Sequence, residues 1–181
     1  VIPLLLKVIE KDPFAIDASY RAMKIRFRGN AAAKAAIDMA LYDRMGKELG
    51  QPLYKIWGLD PSRTTLTSYT IGISDTEDML RKVRAAKDYP VLKIKMGHAG
   101  DLEQLQAIRA ITDQVIRVDA NAAWEPKEAL YKIDAMAELC VEFVEQPLPP
   151  GNVEGMRWLH RRSRLPLIVD ESCLTNDDIP A

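Results

Sequence analysis

VLKIKM at residues 91–96 is a short apolar stretch whose only charges are Lys93 and Lys95. Three further stretches of the same kind follow it along the chain: VIRVDAN at 115–121, FVEQ at 143–146 and LIVDE at 167–171. Val and Ile dominate them, which is typical of strands in a well-covered sheet. LTSYTIGI at 66–73 predicts one more strand ahead of these four.

Helical segments separate the predicted strands. Asp75 or Thr76 caps a helix that runs to about residue 87, a second helix covers 101–111, a third begins at Pro126 and reaches 139, and a fourth lies within 151–162. Regular alternation of strand and helix predicts parallel strands joined by crossover helices.

The predicted units recur with a nearly constant period. Successive charged strand ends are separated by 24 positions from Lys95 to Asp119, by 26 from Asp119 to Glu145, and by 25 from Glu145 to Asp170. A closed barrel needs eight such units in about 250 residues, and five strands can be counted. The sequence therefore predicts an α/β fold, a partial (β/α) TIM-type barrel of about five βα units, and we expect it to represent part of a longer chain.

A different pattern precedes the repeat. Residues 1–29 read as an irregular or helical lead-in, and a long helix with Asn30 as its N-cap follows, ending at Gly50. A short element at 53–57 and the turn Asp60-Pro61 close this part. We expect two domains, 1–60 and 61–181.

Charges at the strand ends carry the functional signal. Lys93 and Lys95 share one face of their strand because side chains alternate along a strand. Asp119, Glu145 and Asp170 each lie near the carboxyl end of a strand, and that end of a barrel carries the chemistry. A second interpretation stays open, in which Lys93, Lys95 and Arg117 neutralise the three carboxylates in an internal ion-pair network.

Three converging carboxylates repel one another unless a cation joins them. Because Asp119, Glu145 and Asp170 are hard oxygen donors, the sequence predicts Mg²⁺, with Mn²⁺ as a feasible substitute. Asn121 faces the same side and is a candidate to orient a ligand or a metal-bound water. Two neighbouring ammonium groups, helped by the metal, lower each other's pKa, so one lysine can serve as a general base next to a substrate carboxylate.

Four ordered motifs also resemble a known family. LKIKMG (92–97), RVDANAAW (117–124), VEQPL (144–148) and IVDES (168–172) resemble the muconate-lactonizing branch of the enolase superfamily, in which a Lys or His base works beside Mg²⁺. The segment 32–58 is similar to the helical piece that joins that family's N-terminal capping domain to its barrel.

The resemblance implies a role for each motif residue. Lys95 would be the acid/base and Lys93 its electrostatic and substrate-binding partner, while Asp119, Glu145 and Asp170 would bind Mg²⁺. SYTIGI (68–73) looks most like dipeptide epimerases of the Ala-Glu type and would place Thr70 near the substrate. The family's second base, at the end of its sixth strand, would lie beyond Ala181.

Several activities remain open at this stage. The resemblance favours epimerisation of a dipeptide through an enediolate, and its rivals are an o-succinylbenzoate synthase and a muconate cycloisomerase. A non-catalytic barrel fragment or interaction protein is the alternative from a different class.

Bulk properties narrow the classes of partner. The 181 residues are 48% hydrophobic and 28% charged with a net charge of -1, which favours neither nucleic acid nor an anionic membrane surface. Cys140 and Cys173 are not spaced as a metal or redox pair, and we expect reduced thiols in a cytoplasmic protein. The expected partner is a small carboxylate, with a homo-oligomer left open.

Overall fold

The computed structural model describes residues 1–9, 12–175 and 178–179. The chain separates into two compact units, Val1–Thr65 and Leu66–Ala181. No helix within the described residues is long and apolar enough to cross a membrane.

The first unit is helical. It contains α1 (Ile2–Leu5), α2 (Ile16–Arg26), α3 (Ala31–Leu49), α4 (Leu53–Ile56) and a 3₁₀ turn (Pro61–Arg63). Its small core is formed by Leu5, Met23 and Ile37, which are almost fully buried. The unit is held together mainly by the packing of α1 and α2 on the long helix α3.

The ends of α3 show how local sequence sets its length. Gly50 adopts a left-handed conformation that ends the helix. Asn30 occupies the predicted N-cap position, but its own φ is +56° and its side chain makes no capping hydrogen bond. Its Nδ2 donates instead to the carbonyl of Arg28, because the left-handed backbone turns the amide away from the first turn of the helix.

The second unit alternates strands and helices without exception. The strands are β1 (Ser68–Ile71), β2 (Val91–Lys95), β3 (Val115–Asp119), β4 (Val141–Glu145) and β5 (Leu167–Ile168), and the helices are α5 (Thr76–Ala85), α6 (Asp101–Arg109), α7 (Pro126–Glu138) and α8 (Val153–His160). All strand pairs are parallel and the sheet order is β1-β2-β3-β4-β5. The parallel sheet predicted from the alternation is confirmed.

One face of the sheet packs on the helices. Leu92, Ile94, Val118 and Val144 are fully buried and contact helix residues such as Ile133 in the main core. The alternate positions of β2, Lys93 and Lys95, are only half-buried. The period-2 pattern thus assigns the apolar residues to the helix side and leaves the charged residues on the opposite face.

The last strand is shorter than the sequence predicts. It ends at Ile168 rather than at Glu171. Beyond it, the backbone N–H groups of Asp170 and Ser172 donate to Oε1 of Gln146 and not to the backbone of a neighbouring strand. The chain turns there because a side chain has replaced the next strand as hydrogen-bond partner.

Candidate active site

Strand register aligns the charged residues in two rows on one face of the sheet. Lys95 pairs with Asp119, and Asp119 pairs with Glu145, at the carboxyl ends of β2, β3 and β4. The second row lies two residues earlier along the strands: there Thr70 pairs with Lys93, and Lys93 pairs with Arg117. Because neighbouring parallel strands lie about 4.8 Å apart, long side chains in these rows reach one another.

Lys93 links the two carboxylates. Its Nζ lies 2.7 Å from Oε1 of Glu145 and 3.0 Å from Oδ2 of Asp119. Lys95 reaches the same Asp119 oxygen at 3.2 Å and donates to Oδ1 of Asn121 at 3.2 Å. Arg117 does not join this group, since its Nε pairs with Glu142 at 2.5 Å and its Nη1 donates to Oγ of Ser68. The four charged side chains Lys93, Lys95, Asp119 and Glu145 form what we call the strand-end cluster.

Burial and partners set the ionisation of Asp119. Its side chain is 2% exposed. Burial raises the pKa of this carboxyl. Hydrogen bonds from Lys93, from the backbone N–H of Asn121 and from Lys95 lower the pKa by more than burial raises it, so the net pKa lies below the ordinary value. Asp119 is therefore a carboxylate held in place by cations, as a metal ligand or an ion-pair partner would be.

Burial and two carboxylates act in opposite directions on the pKa of Lys93. Burial lowers it, yet the hydrogen bonds to Glu145 and Asp119 outweigh burial and the net pKa is raised. The expected lowering of the lysine pKa depends on a metal beside the second ammonium group and stays a prediction. Without that metal charge, Lys93 is held as a cation between two carboxylates.

Asp170 stands apart from this cluster. It follows β5, two positions past Ile168, which is the register partner of Glu145, and its side chain is exposed. Within the part of the chain that the structure describes, no three His, Cys, Asp or Glu side chains are grouped to hold a metal ion. The assignment of Asp119, Glu145 and Asp170 as a joint ligand set remains a prediction.

The strand ends nevertheless fit a divalent cation by donor type and charge. Asp119 and Glu145 already converge on a single cationic atom, Nζ of Lys93. Both offer carboxylate oxygens, which are the ligands that Mg²⁺ prefers. Asp170 follows β5, the strand that pairs with β4 and therefore with the strand that carries Glu145.

The two remaining predicted residues differ in their surroundings. Asn121 has a left-handed backbone with φ +48°, donates its N–H to Oδ1 of Asp119 and accepts from Lys95. It therefore holds Lys95 and Asp119 together. Thr70 is exposed on β1, in register with Lys93, which places it beside the cluster on the same face of the sheet.

Two buried polar residues at the site were missed by sequence reasoning. Gln146, next to Glu145, is fully buried and hydrogen-bonds to the segment after β5. Asp101, at the start of α6, is 1% exposed and binds the loop that follows Lys95. A polar residue inside an apolar strand end was the available signal for Gln146, whereas the burial of Asp101 depends on Trp124 and Lys132, which are remote in sequence.

The fold class is a (β/α)-barrel-type domain preceded by a helical unit. Its parallel βα sheet carries lysines and carboxylates at the carboxyl ends of the strands. Residues 75–180 match the family described as enolase C-terminal domain-like. Residues 3–58 match the N-terminal domain of the mandelate racemase / muconate lactonizing enzyme family. The chain belongs to the enolase superfamily, in the branch that these two enzymes represent.

Individual relatives agree with this assignment. L-Ala-D/L-Glu epimerase of Bacteroides thetaiotaomicron is 39% identical over 94% of this chain and 45% of its own length. The crystal structure of the Enterococcus faecalis dipeptide epimerase with Mg and L-Leu-L-Tyr has a TM-score of 0.88 and 36% identity, covering 98% of this chain and 52% of that one. Muconate cycloisomerase of Pseudomonas fluorescens has a TM-score of 0.83 and 30% identity, covering 94% and 49%. The chain spans about half the length of the relatives it matches.

Proposed function

We propose that the full-length protein containing this chain is a Mg²⁺-dependent isomerase that removes the proton α to a carboxylate, and that its reaction is the epimerisation of a dipeptide. The observation that carries the proposal is the strand-end cluster, in which two lysines and two carboxylates meet at the carboxyl ends of β2, β3 and β4. An α-proton beside a carboxylate becomes acidic only when positive charge faces the enediolate that forms.

Lys95 is the proposed acid/base. Its side chain is 37% exposed, against 24% for Lys93, so it is the lysine that a substrate on this face meets. Its contacts with Asp119 and Asn121 hold the amine in one orientation toward that face. A lysine fixed in this way can take up the α-proton once it is neutral.

Lys93 and the carboxylates have different proposed roles. Lys93, held as a cation by Glu145 and Asp119, stabilises the negative charge of the substrate carboxylate. Asp119, Glu145 and Asp170 would hold Mg²⁺, which adds further positive charge where the enediolate develops. Mn²⁺ shares the preference for oxygen ligands and is the proposed substitute.

A dipeptide is the favoured substrate because relatives named for dipeptide epimerisation match nearly all of this chain. We place Thr70 beside that substrate, since it is exposed and in register with Lys93. The second candidate function is cycloisomerisation of a muconate, favoured by the match to the Pseudomonas fluorescens enzyme. The two free thiols, Cys140 and Cys173, fit the proposal of a cytoplasmic enzyme.

Solvent exchange tests this proposal directly. The full-length protein with Mg²⁺ is incubated in deuterated water with a library of dipeptides, and mass spectrometry records deuterium gain at one α-carbon. We expect gain in a subset of dipeptides and none when Mg²⁺ is removed by chelation. Failure across the library together with turnover of a muconate or a succinylbenzoate precursor would reject the dipeptide and leave the proton-abstraction site in place.

A further inference from the structure

Gln146 forms hydrogen bonds with all of its polar side-chain atoms although it is fully buried. Its Nε2 donates to the carbonyl of Leu148 at 2.7 Å and to Oγ of Ser172 at 2.7 Å. Its Oε1 accepts from the N–H of Asp170 at 2.9 Å and from the N–H of Ser172 at 3.1 Å. Three of these four bonds go to the segment after β5, and one of them is made to a candidate metal ligand.

The backbone of Gln146 also forms hydrogen bonds to the ends of β3 and β5. Its N–H donates to the carbonyl of Ile168 at 2.8 Å, and its carbonyl accepts from the N–H of Ala122 at 2.8 Å. Ala122 follows Asn121 at the end of β3, and Ile168 ends β5. Gln146, which directly follows Glu145, is thereby bonded to Ala122 beyond Asp119, to Ile168 at the end of β5 and to the amide of Asp170.

The backbone at Gln146 is held in an unfavourable conformation. Its φ is +36°, and Asn121 and Ala122 after β3 also have positive φ values of +48° and +60°. Such angles are uncommon in residues other than glycine, and they persist where the surroundings determine them and often where function requires them. The strain lies at the ends of β3 and β4, beside the strand-end cluster.

From these contacts we propose that Gln146 is a positioning residue: it fixes the backbone of Asp170 against the ends of β3 and β4 and so sets the spacing of the three candidate metal-binding carboxylates. The inference rests on the proposed function for the identity of the ligands. Its physical basis is that β5 ends at Ile168, and the N–H of Asp170 donates to the side chain of Gln146 where a strand would use a backbone carbonyl. Residues that orient metal ligands typically contribute about 10- to 100-fold to metal affinity.

Gln146→Asn tests the proposal in the full-length protein. Asn tolerates a positive φ and retains the buried amide, but it is one methylene too short to reach both Asp170 and Ser172. We expect amide hydrogen exchange at Asp170 and Ser172 in the Mg²⁺-free protein to accelerate about tenfold, the effect of losing a hydrogen bond worth about 1.4 kcal/mol. Calorimetry should show Mg²⁺ affinity reduced about 10- to 100-fold.

Gln114→Asn is the matched control. Gln114 is a half-buried glutamine whose Nε2 donates to the carbonyls of Ala86 and Tyr89, but it precedes β3 at the opposite end of the sheet. This variant should leave exchange at Asp170 and Mg²⁺ affinity as in the wild type.

The two readouts separate the inference from the proposed function. If the amides of Asp170 and Ser172 exchange at the wild-type rate in Gln146→Asn, Gln146 does not position Asp170. The same conclusion follows if these amides exchange as fast in the control Gln114→Asn as they do in Gln146→Asn. If exchange responds as expected and the wild-type protein binds no Mg²⁺, the role of Gln146 in fixing the strand ends stands and the assignment of the carboxylates as ligands fails.

Discussion

At the scale of single residues, the two lysines of β2 are proposed to have different roles because their surroundings differ. Lys93 is the more buried and contacts two carboxylates, whereas Lys95 is the more exposed and contacts one carboxylate and one amide. A group enclosed by carboxylates keeps its proton, and a group at the open face can exchange it. The proposed function thus assigns a fixed charge and a proton acceptor to the same residue type two positions apart.

This division of roles makes a kinetic prediction. Lys95→Ala should lower α-proton exchange about 10²- to 10⁴-fold while substrate binding stays measurable, because a proton-transfer group is lost and Lys93 remains. Lys93→Ala should instead weaken substrate binding as well as exchange. Exchange is followed by mass spectrometry and binding by calorimetry in deuterated buffer.

Lys87→Ala, at an exposed position, serves as the control and should change neither quantity. Lys95→Ala protein that exchanges the α-proton near the wild-type rate would remove Lys95 from the role of base on this face.

The positions of the charged residues could be predicted from the sequence, but their contacts could not. Alternation along a strand places Lys93 and Lys95 on one face whatever the partners are. That Lys93 bridges Asp119 and Glu145 depends on strand register and rotamers, which the sequence does not state. For that reason the carboxylate contacts that raise the pKa of Lys93 could not be predicted from the strand pattern.

At the scale of elements, the loop between β2 and α6 is fixed by a buried carboxylate. Asp101 accepts hydrogen bonds from the N–H groups of Gly97 and His98, from Nε1 of Trp124 and from Nζ of Lys132 at 2.9 Å. At Gly97 the φ is +135° and a Cβ would lie 2.9 Å from the Cβ of Ala123, so the loop passes too close to the end of β3 for any other residue. Asp101 thereby anchors the chain just after Lys95.

This anchor predicts a large and pH-dependent contribution to stability. Asp101→Ala should lower the free energy of unfolding by about 3 kcal/mol, because it leaves Lys132, whose side chain is 13% exposed, without its buried partner. Glu128→Ala removes the exposed partner of the same Lys132 and should lower the free energy of unfolding by about 1 kcal/mol or less. Urea unfolding followed by circular dichroism measures both.

The sign of the pH effect follows from the pKa of Asp101. Burial raises that pKa, but the hydrogen bonds from Lys132, Gly97 and His98 prevail and lower it below the ordinary value. A carboxyl with a depressed folded-state pKa stabilises the fold fully above its unfolded pKa of about 3.9, and this contribution is lost as the pH falls toward the folded value. The difference between wild type and Asp101→Ala should therefore shrink below about pH 4, and a constant difference down to pH 2 would contradict the assignment.

Element identities could be predicted and some element ends could not. The apolar runs, the N-cap at Asp75 and the start of α7 at Pro126 agree with the structure, since these signals are local. The end of β5 depends on Gln146, which lies more than twenty positions earlier and competes for the backbone N–H groups of Asp170 and Ser172. A long-range side-chain contact of this kind does not change the hydrophobic alternation of the strand sequence, so that pattern does not show where the strand ends.

At the scale of the whole molecule, the helical unit and the βα unit each have a core, and the chemistry gathers in the second. The βα unit places its apolar residues between sheet and helices, so the opposite face is free to carry charge. On that face the metal-free cluster is electrically balanced, with Lys93 and Lys95 against Asp119 and Glu145. A divalent cation therefore needs the added negative charge of Asp170, which explains why the proposal requires the strand end that Gln146 holds.

The balance of charge leads to a prediction for the stability of the full-length protein. A ligand that binds only the folded state stabilises it by mass action, by about 2.7 kcal/mol when its concentration is 100 times its Kd. Mg²⁺ at that level should raise the Tm measured by calorimetry by several degrees, and chelation should reverse the increase. Glu145→Gln should abolish most of the increase because it removes a proposed ligand and the partner of Lys93.

Glu142→Gln is the matched control on the same strand: Glu142 is exposed and pairs with Arg117 outside the cluster, so the Mg²⁺ effect should persist. An equal increase in both variants would show that Mg²⁺ binds elsewhere, and no increase in the wild type would leave the strand-end cluster as an ion-pair network rather than a metal site.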